Sequence, residues 1–262
     1  MSIAQAVRVA MVRPLHGVVQ DGVAAIRAEP DDASELVDQA HWGEAVTALR
    51  RDGDWLYVQC PDLYFGWIRR SAVRRAGEER EPWIVAVPLA AVRAKPRDDA
   101  LVVDQLPVGS RVPFVEREGD WWPLARGRYV RVADTIDAAT LPERDPTPAD
   151  VVATAEAFLG VPYLWGGTSA HGIDCSGLTQ QVYRLNGVGL DRDADQQALG
   201  GRPVERARPG DLFFFGAERV THTGIATSET AFIHAPQAGQ QVQRGELGAD
   251  RSRLRAIRRY LP

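Results

Sequence analysis

Two stretches of this 262-residue chain carry residue types and spacings suited to nucleophilic chemistry. The first is Gly172-Ile173-Asp174-Cys175-Ser176-Gly177-Leu178. From Cys175 a helical pattern begins, with Leu178, Val182 and Leu185 on one face until Asn186-Gly187 stops it. Asp174 is the natural N-cap, and Cys175 falls at a helix N-terminus. There the helix dipole favours thiolate over thiol, and free amides can hold an oxyanion. The second stretch contains His222, at the head of Thr223-Gly224-Ile225-Ala226-Thr227, and His234, at the end of Ala231-Phe232-Ile233. These runs, separated by Ser228-Glu229-Thr230, read as a β-hairpin. An imidazole beside a thiol keeps it charged and protonates a leaving amine, so the pattern points to amide-bond hydrolysis by a Cys–His pair.

Other uses of the same residues are weaker. Cys175, His222 and His234 lack the close ligand pairs of a zinc site, so no metal and no cofactor is expected. Cys60 reads as a free structural thiol, and His16, His41 and His171 as surface or loop residues without motif context. Trp55 and Trp121 read as core residues. The tail with Arg251, Arg253, Arg255, Arg258 and Arg259 reads as a closing strand with solvated arginines.

The elements that must position these groups divide into three parts. Thr147-Pro148-Ala149-Asp150 opens a helix by capping, and Val151, Val152, Ala155, Phe158 and Leu159 give it an apolar face before Gly160. The all-apolar Leu212-Phe213-Phe214-Phe215 reads as a buried strand, so residues 147–262 form a helix-first, sheet-second α+β domain. Upstream, a shift of 66 residues lays Ala25-Ile26-Arg27-Ala28-Glu29-Pro30 on Ala91-Val92-Arg93-Ala94-Lys95-Pro96, and Gly53-Asp54-Trp55 on Gly119-Asp120-Trp121. The first half is a duplicated module of short strands, at residues 1–73 and 83–137. Charged Arg74–Pro82 and Leu141–Pro146 read as linkers.

With 31 Lys+Arg against 35 Asp+Glu, the net charge of −4 gives neither nucleic acid nor an anionic membrane an electrostatic invitation. The first ten residues lack the basic start and apolar run of a secretory signal, so a cytoplasmic location is expected. The oligomeric state is left open by the sequence.

Each repeat, with its a-x-x-R-x-x-P, G-D-W and G-W-hydrophobic order, resembles the bacterial SH3-like domains that accompany cell-wall hydrolases. The third part carries P-Y-x-W-G-G at 162–167, D-C-S-G-L at 174–178, P-G-D-L-x-F-F at 209–215, H-T-G-I at 222–225 and F-I-H-A-P at 232–236, and resembles the NlpC-type, papain-like cell-wall peptidases. This resemblance implies a multidomain chain in which two small all-β barrels precede a papain-like α+β domain. It implies Cys175 as nucleophile, His222 as base and acid, His234 as the residue orienting His222, and Tyr163 beside the thiol. Together with the SH3-like repeats it narrows to the gamma-D-glutamyl-L-diamino-acid endopeptidase subgroup. The implied substrate is a murein peptide, L-Ala-γ-D-Glu-diamino acid with a free amine, met in wall-peptide recycling. Asp193, Ser176, Glu35 and Tyr64 match substrate-binding positions, with Asp174 and Trp165 in the same site. Ala194 stands where the family often has serine. A wall-binding module with an inactive third domain, or an amidase or acyltransferase, is the alternative.

Overall fold

The computed structural model describes residues 14–77, 83–112 and 116–262, without the side chains of 249 and 250. The N-terminal extension and residues 78–82 of the first linker lie outside the described residues.

The first module contains β1 (Leu15–Val19), β2 (Val23–Arg27), β3 (Leu36–His41), β4 (Ala45–Asp52), β5 (Trp55–Gln59), β6 (Phe65–Arg69) and β7 (Val73–Arg75). They form one sheet in the order β3-β2-β6-β5-β4-β1-β7. Alternate side chains such as Ala24, Ile26, Val46, Val58 and Ile68 fill its core. Arg74 and Arg75, read from their charge as linker, instead pair with Val18 and Gly17 at the sheet edge, where only backbone groups are needed.

The second module repeats the plan with β8 (Trp83–Val85), β9 (Leu89–Arg93), β10 (Val102–Pro107), β11 (Arg111–Val112), β12 (Trp121–Leu124), β13 (Arg128–Arg131) and β14 (Thr135–Asp137). The repeated arginine has the same task in each copy: Arg27 donates to the Ser34 carbonyl at 2.6 Å, and Arg93 to that of Ala100 at 2.7 Å. Trp55 and Trp121 are both buried under an arginine, Arg69 and Arg131. The turn after the third strand of each module anchors it to the next domain. Trp42 packs on the second module's core, and its repeat equivalent Val108 enters the core of the third domain.

The third domain begins with α1 (Pro148–Glu156), whose Thr147 and Asp150 form a reciprocal capping box. Val151, Ala155 and Phe158 are buried, whereas Leu159, expected on the same face, is exposed at the frayed end. The preceding segment, read as linker, forms a 3-10 turn that buries Leu141. A small hairpin, β15 (Thr168–Ser169) and β16 (Gly172–Ile173), leads into α2 (Cys175–Leu185), and α3 (Ala194–Gln197) follows. The sheet has the order β17 (Arg202–Pro203), β22 (Leu254–Arg259), β18 (Leu212–Phe215), β19 (His222–Ala226), β20 (Ala231–His234), β21 (Gln243–Glu246). It is antiparallel throughout, with β19 and β20 forming the hairpin that carries both histidines. The tail strand β22 lies inside the sheet. Its arginines are less free than its composition suggested: Arg259 pairs with buried Asp211 and Arg258 caps the Ala198 carbonyl. No described helix is long and apolar enough to cross a membrane.

Candidate active site

Asp174 caps α2 by accepting from the Gly177 amide at 2.7 Å, and its second oxygen accepts from the Gly166 amide at 2.9 Å. One carboxylate thus fixes both the nucleophile helix and the glycine loop before it. The motif glycines have steric reasons. Gly166 has φ +71° and lies so close to Leu36 of the first module that a Cβ would meet its carbonyl oxygen at 2.2 Å. A Cβ at Gly177 would meet the Gly167 oxygen at 2.3 Å.

Cys175 is buried at the start of α2, which packs on β19. His222 Nε2 lies 2.8 Å from His234 Nδ1, leaving Nδ1 of His222 for the thiol. Phe215 and Phe232 flank the two rings. Burial pushes the Cys175 thiol up to about 12; the Asp174 carboxylate adds to the rise, and the Thr223 and Ser176 amides oppose it. Burial holds the His222 imidazole down at about 3, with His234 and Arg253 acting in the same direction. Desolvation of the thiol thus opposes the effect of the helix terminus. The neutral pair still suits acid–base work: the imidazole can take the thiol proton during attack and return it to a leaving nitrogen.

The Tyr163 backbone N–H donates a hydrogen bond to the Gln240 carbonyl at 2.8 Å. Together with Trp165, Cys175 and Thr221, Tyr163 lines two adjoining pockets. One, of about 370 Å³, brings Glu35 and Tyr64 from the first module against Ser176 and Asp193 of the third domain. The other, of about 820 Å³, contains His222 and His234. Together they make a cleft with the thiol at its middle.

Within the smaller pocket, the Tyr64 hydroxyl donates to Asp193 Oδ2 at 3.1 Å, and the Trp165 indole donates to Glu35 Oε1 at 2.8 Å. Each bond crosses between the domains. Burial raises the Asp193 carboxyl above its usual range, against the pull of Tyr64 and Arg192. Two expected contact residues have other tasks. Asp174 spends both oxygens on the Gly177 and Gly166 amides and on Arg192, and the Ser176 hydroxyl accepts from Arg192 Nη1 at 3.0 Å. Asp174 thus has a scaffolding task in addition to its place in the lining of the smaller pocket.

The sequence reading missed Arg192. Its side chain is 1% exposed and joins two carboxylates: Nη1 and Nη2 bind Asp174 at 3.1 and 2.7 Å, and Nε binds Asp38 of the first module at 2.9 Å. One guanidinium fully neutralises one carboxylate. Asp174 receives the bidentate side of it, while burial pushes the Asp38 carboxyl up to about 8 against Arg192. The Asp191-Arg192-Asp193 triplet beside an apolar turn was the available signal. Gln197 was also missed; its amide ties the Ser176 and Asp191 carbonyls together.

His41, expected at the surface, is 1% exposed, and its Nε2 lies 3.1 Å from Thr168 Oγ1 across the same domain junction. Burial lowers its imidazole to about 4, so it is neutral there. Cys60 is a buried free thiol in the first module's core. His16 and His171 are exposed.

Known proteins share this architecture. The family model described as NlpC/P60 family matches residues 160–257, and that described as Bacterial dipeptidyl-peptidase Sh3 domain matches residues 26–73. Dipeptidyl-peptidase 6 of Lysinibacillus sphaericus is 30% identical over 251 residues, spanning 87% of this chain and 90% of its own. The gamma-D-glutamyl-L-lysine dipeptidyl-peptidase of Bacillus subtilis (strain 168) is 26% identical over 221 residues, spanning 78% of this chain and 74% of its own. The crystal structure of an NlpC/P60 family protein from Bacillus cereus ATCC 10987 superposes with a TM-score of 0.83 at 24% identity. It covers 94% of this chain and 100% of that one, a likeness of fold.

Proposed function

This chain belongs to the NlpC/P60 family and is a cysteine peptidase, and from that premise we propose that it cuts the bond between γ-D-Glu and an L-diamino acid in murein peptides with a free N-terminal L-Ala. In this reading Cys175 attacks the γ-carbonyl as Nδ1 of His222 takes its proton. The tetrahedral oxyanion forms beside the α2 amides and Tyr163. His222 returns the proton to the leaving nitrogen as the C–N bond breaks, and water then hydrolyses the thioester with His222 again as base. His234 keeps the imidazole in register through its bond to Nε2.

The observation that carries the substrate is the smaller pocket. Asp193 and Glu35 supply negative charge beside the thiol, and Tyr64 and Trp165 close the space where a longer N-terminal chain would run. A free ammonium fits there, and a nitrogen already acylated by sugar does not. The same pocket is lined by Arg219, a cation placed to meet the free α-carboxylate that a γ-linked glutamate retains and an α-linked one lacks. Peptides already released from the wall are then the substrate, which fits a role in recycling.

Mass spectrometry of digests tests this reading. L-Ala-γ-D-Glu-L-Lys should yield the L-Ala-D-Glu dipeptide and free lysine, with none from Cys175→Ala. Cleavage of the α-linked isomer in place of the γ-linked one would overturn it.

A further inference from the structure

The leaving half of the cleft carries a charge for which the reading above has no use. His222 must reach the departing nitrogen, and His222 lines the larger pocket and not the amine pocket, so the diamino acid departs through the larger one. That pocket is lined by two arginines. Arg244 is bound to Glu156 at 2.6 Å. Arg253 is exposed, has no ion pair or side-chain hydrogen bond among the described residues, and lies near enough to His222 to depress its protonation. Its backbone is fixed: its carbonyl accepts from the Gly216 amide at 2.9 Å, and it ends the 3-10 turn that leads into β22.

An unpaired guanidinium next to the catalytic imidazole weakens that imidazole as a base, so its placement is costly for catalysis unless a ligand anion covers it. Carboxylates Asp193 and Glu35 stand at the amine end, where Arg219 is reserved for the α-carboxylate, and Arg253 stands at the other end, in a pocket that also holds Glu246. A short zwitterionic peptide has the opposite pattern, ammonium first and carboxylate last.

We propose that Arg253 is a specificity residue that binds a carboxylate on the leaving diamino acid, so that the cleft selects short peptides by charge at both ends. The inference rests on the dipeptide-releasing reading above. Two sources share this chemistry: the main-chain carboxylate of a C-terminal diamino acid, and a second carboxylate on its side chain. When either is bound, the positive field at His222 is partly cancelled, which strengthens the base only with the correct substrate in place.

The test compares kcat/KM for three peptides that share L-Ala-γ-D-Glu and end in L-Lys acid, L-Lys amide or diaminopimelic acid α-amide. A charge-assisted pair in an open cleft corresponds to about a tenfold preference for the acid over the amide. In Arg253→Gln the preference should fall to about one, with the acid losing rate relative to the amide. Arg253→Lys should restore part of it, which a merely structural role would not predict. If the diaminopimelic amide matches the lysine acid, a side-chain carboxylate serves; if it matches the lysine amide, the main-chain carboxylate is the ligand. Equal rates for acid and amide in the wild type, or a preference that survives Arg253→Gln, would overturn the inference and leave the amine-pocket reading standing. Cleavage of none of the three would remove both.

Discussion

Positions 66 residues apart in the two barrels occupy the same strands and meet different neighbours. Asp38 is buried against Arg192, whereas its equivalent Asp104 pairs with Arg128 at the surface. Glu35 lines the cleft, whereas Leu101 is 73% exposed. Tyr64 stands in a loop that the second copy shortens. The structural arginines Arg27 and Arg93, and the tryptophans Trp55 and Trp121, are by contrast equivalent in role. Duplication thus supplied two copies of a scaffold, and a few side chains on two loops and one strand made the first copy a wall of the active site. The second anchors the assembly through Val108.

The largest expected effects lie outside both barrels and set the floor against which barrel variants are read. Cys175→Ala and His222→Ala should each lower kcat by at least about 10³-fold, with His234→Ala retaining more activity than either. Peptide release followed by chromatography checks this, and circular dichroism confirms the fold.

Next in size is the paired comparison of Asp38 and Asp104. Asp38→Ala leaves Arg192 Nε buried without its acceptor and should cost about 1–3 kcal/mol, with a loss of activity because Arg192 also holds Asp174. Asp104→Ala should stay within about 0.5 kcal/mol, as exposed pairs do. Asp38→Asn sharpens the point. Its carboxyl is raised to about 8, so ionisation opposes folding as pH rises from the ordinary carboxylate range towards that value, and a neutral amide oxygen should serve nearly as well. Denaturant melts at pH 7 of all three variants give the comparison, and equal losses at 38 and 104 would break it.

Much of this was legible in the sequence, and the omissions have a common cause. Cys175, Asp174 and the two histidines announce themselves because cap, nucleophile and hairpin are local patterns, and the duplication is visible as a gapless shift. Arg192 and Asp38 are 154 positions apart, and Trp165 and Glu35 are 130 apart, so no local pattern links them. β7 was hidden because an edge strand needs only backbone, and charged Arg74 and Arg75 looked like linker. His41 was misplaced because polarity alone does not reveal a domain junction that closes over a side chain.

A smaller effect is the pH dependence. The Asp193 carboxyl is raised, so amine recognition is complete above that raised value and lost as pH falls through it. His222, held near 3, stays neutral over the same range. The acid limb of kcat/KM should therefore lie above the ordinary carboxylate range, and Asp193→Asn should flatten it at a lower plateau. An acid limb unchanged by that substitution would assign it to another group. Glu35→Gln should weaken binding by about 1 kcal/mol or less, seen as a rise in KM, whereas Leu101→Gln at the equivalent place should change neither KM nor kcat.

The central claim, that the first barrel helps to read the substrate amine, is tested most directly by coupling a protein change to a substrate change. The measurement is kcat/KM on free and N-acetylated L-Ala-γ-D-Glu-L-Lys, for the wild type and for the Glu35→Gln, Tyr64→Phe double variant. The wild type should prefer the free amine by about 2–5 kcal/mol of transition-state binding, and the double variant should lose a measurable part of that preference while Leu101→Gln keeps all of it. Equal cleavage of the two peptides by the wild type, or a preference untouched by the double variant, would contradict the account.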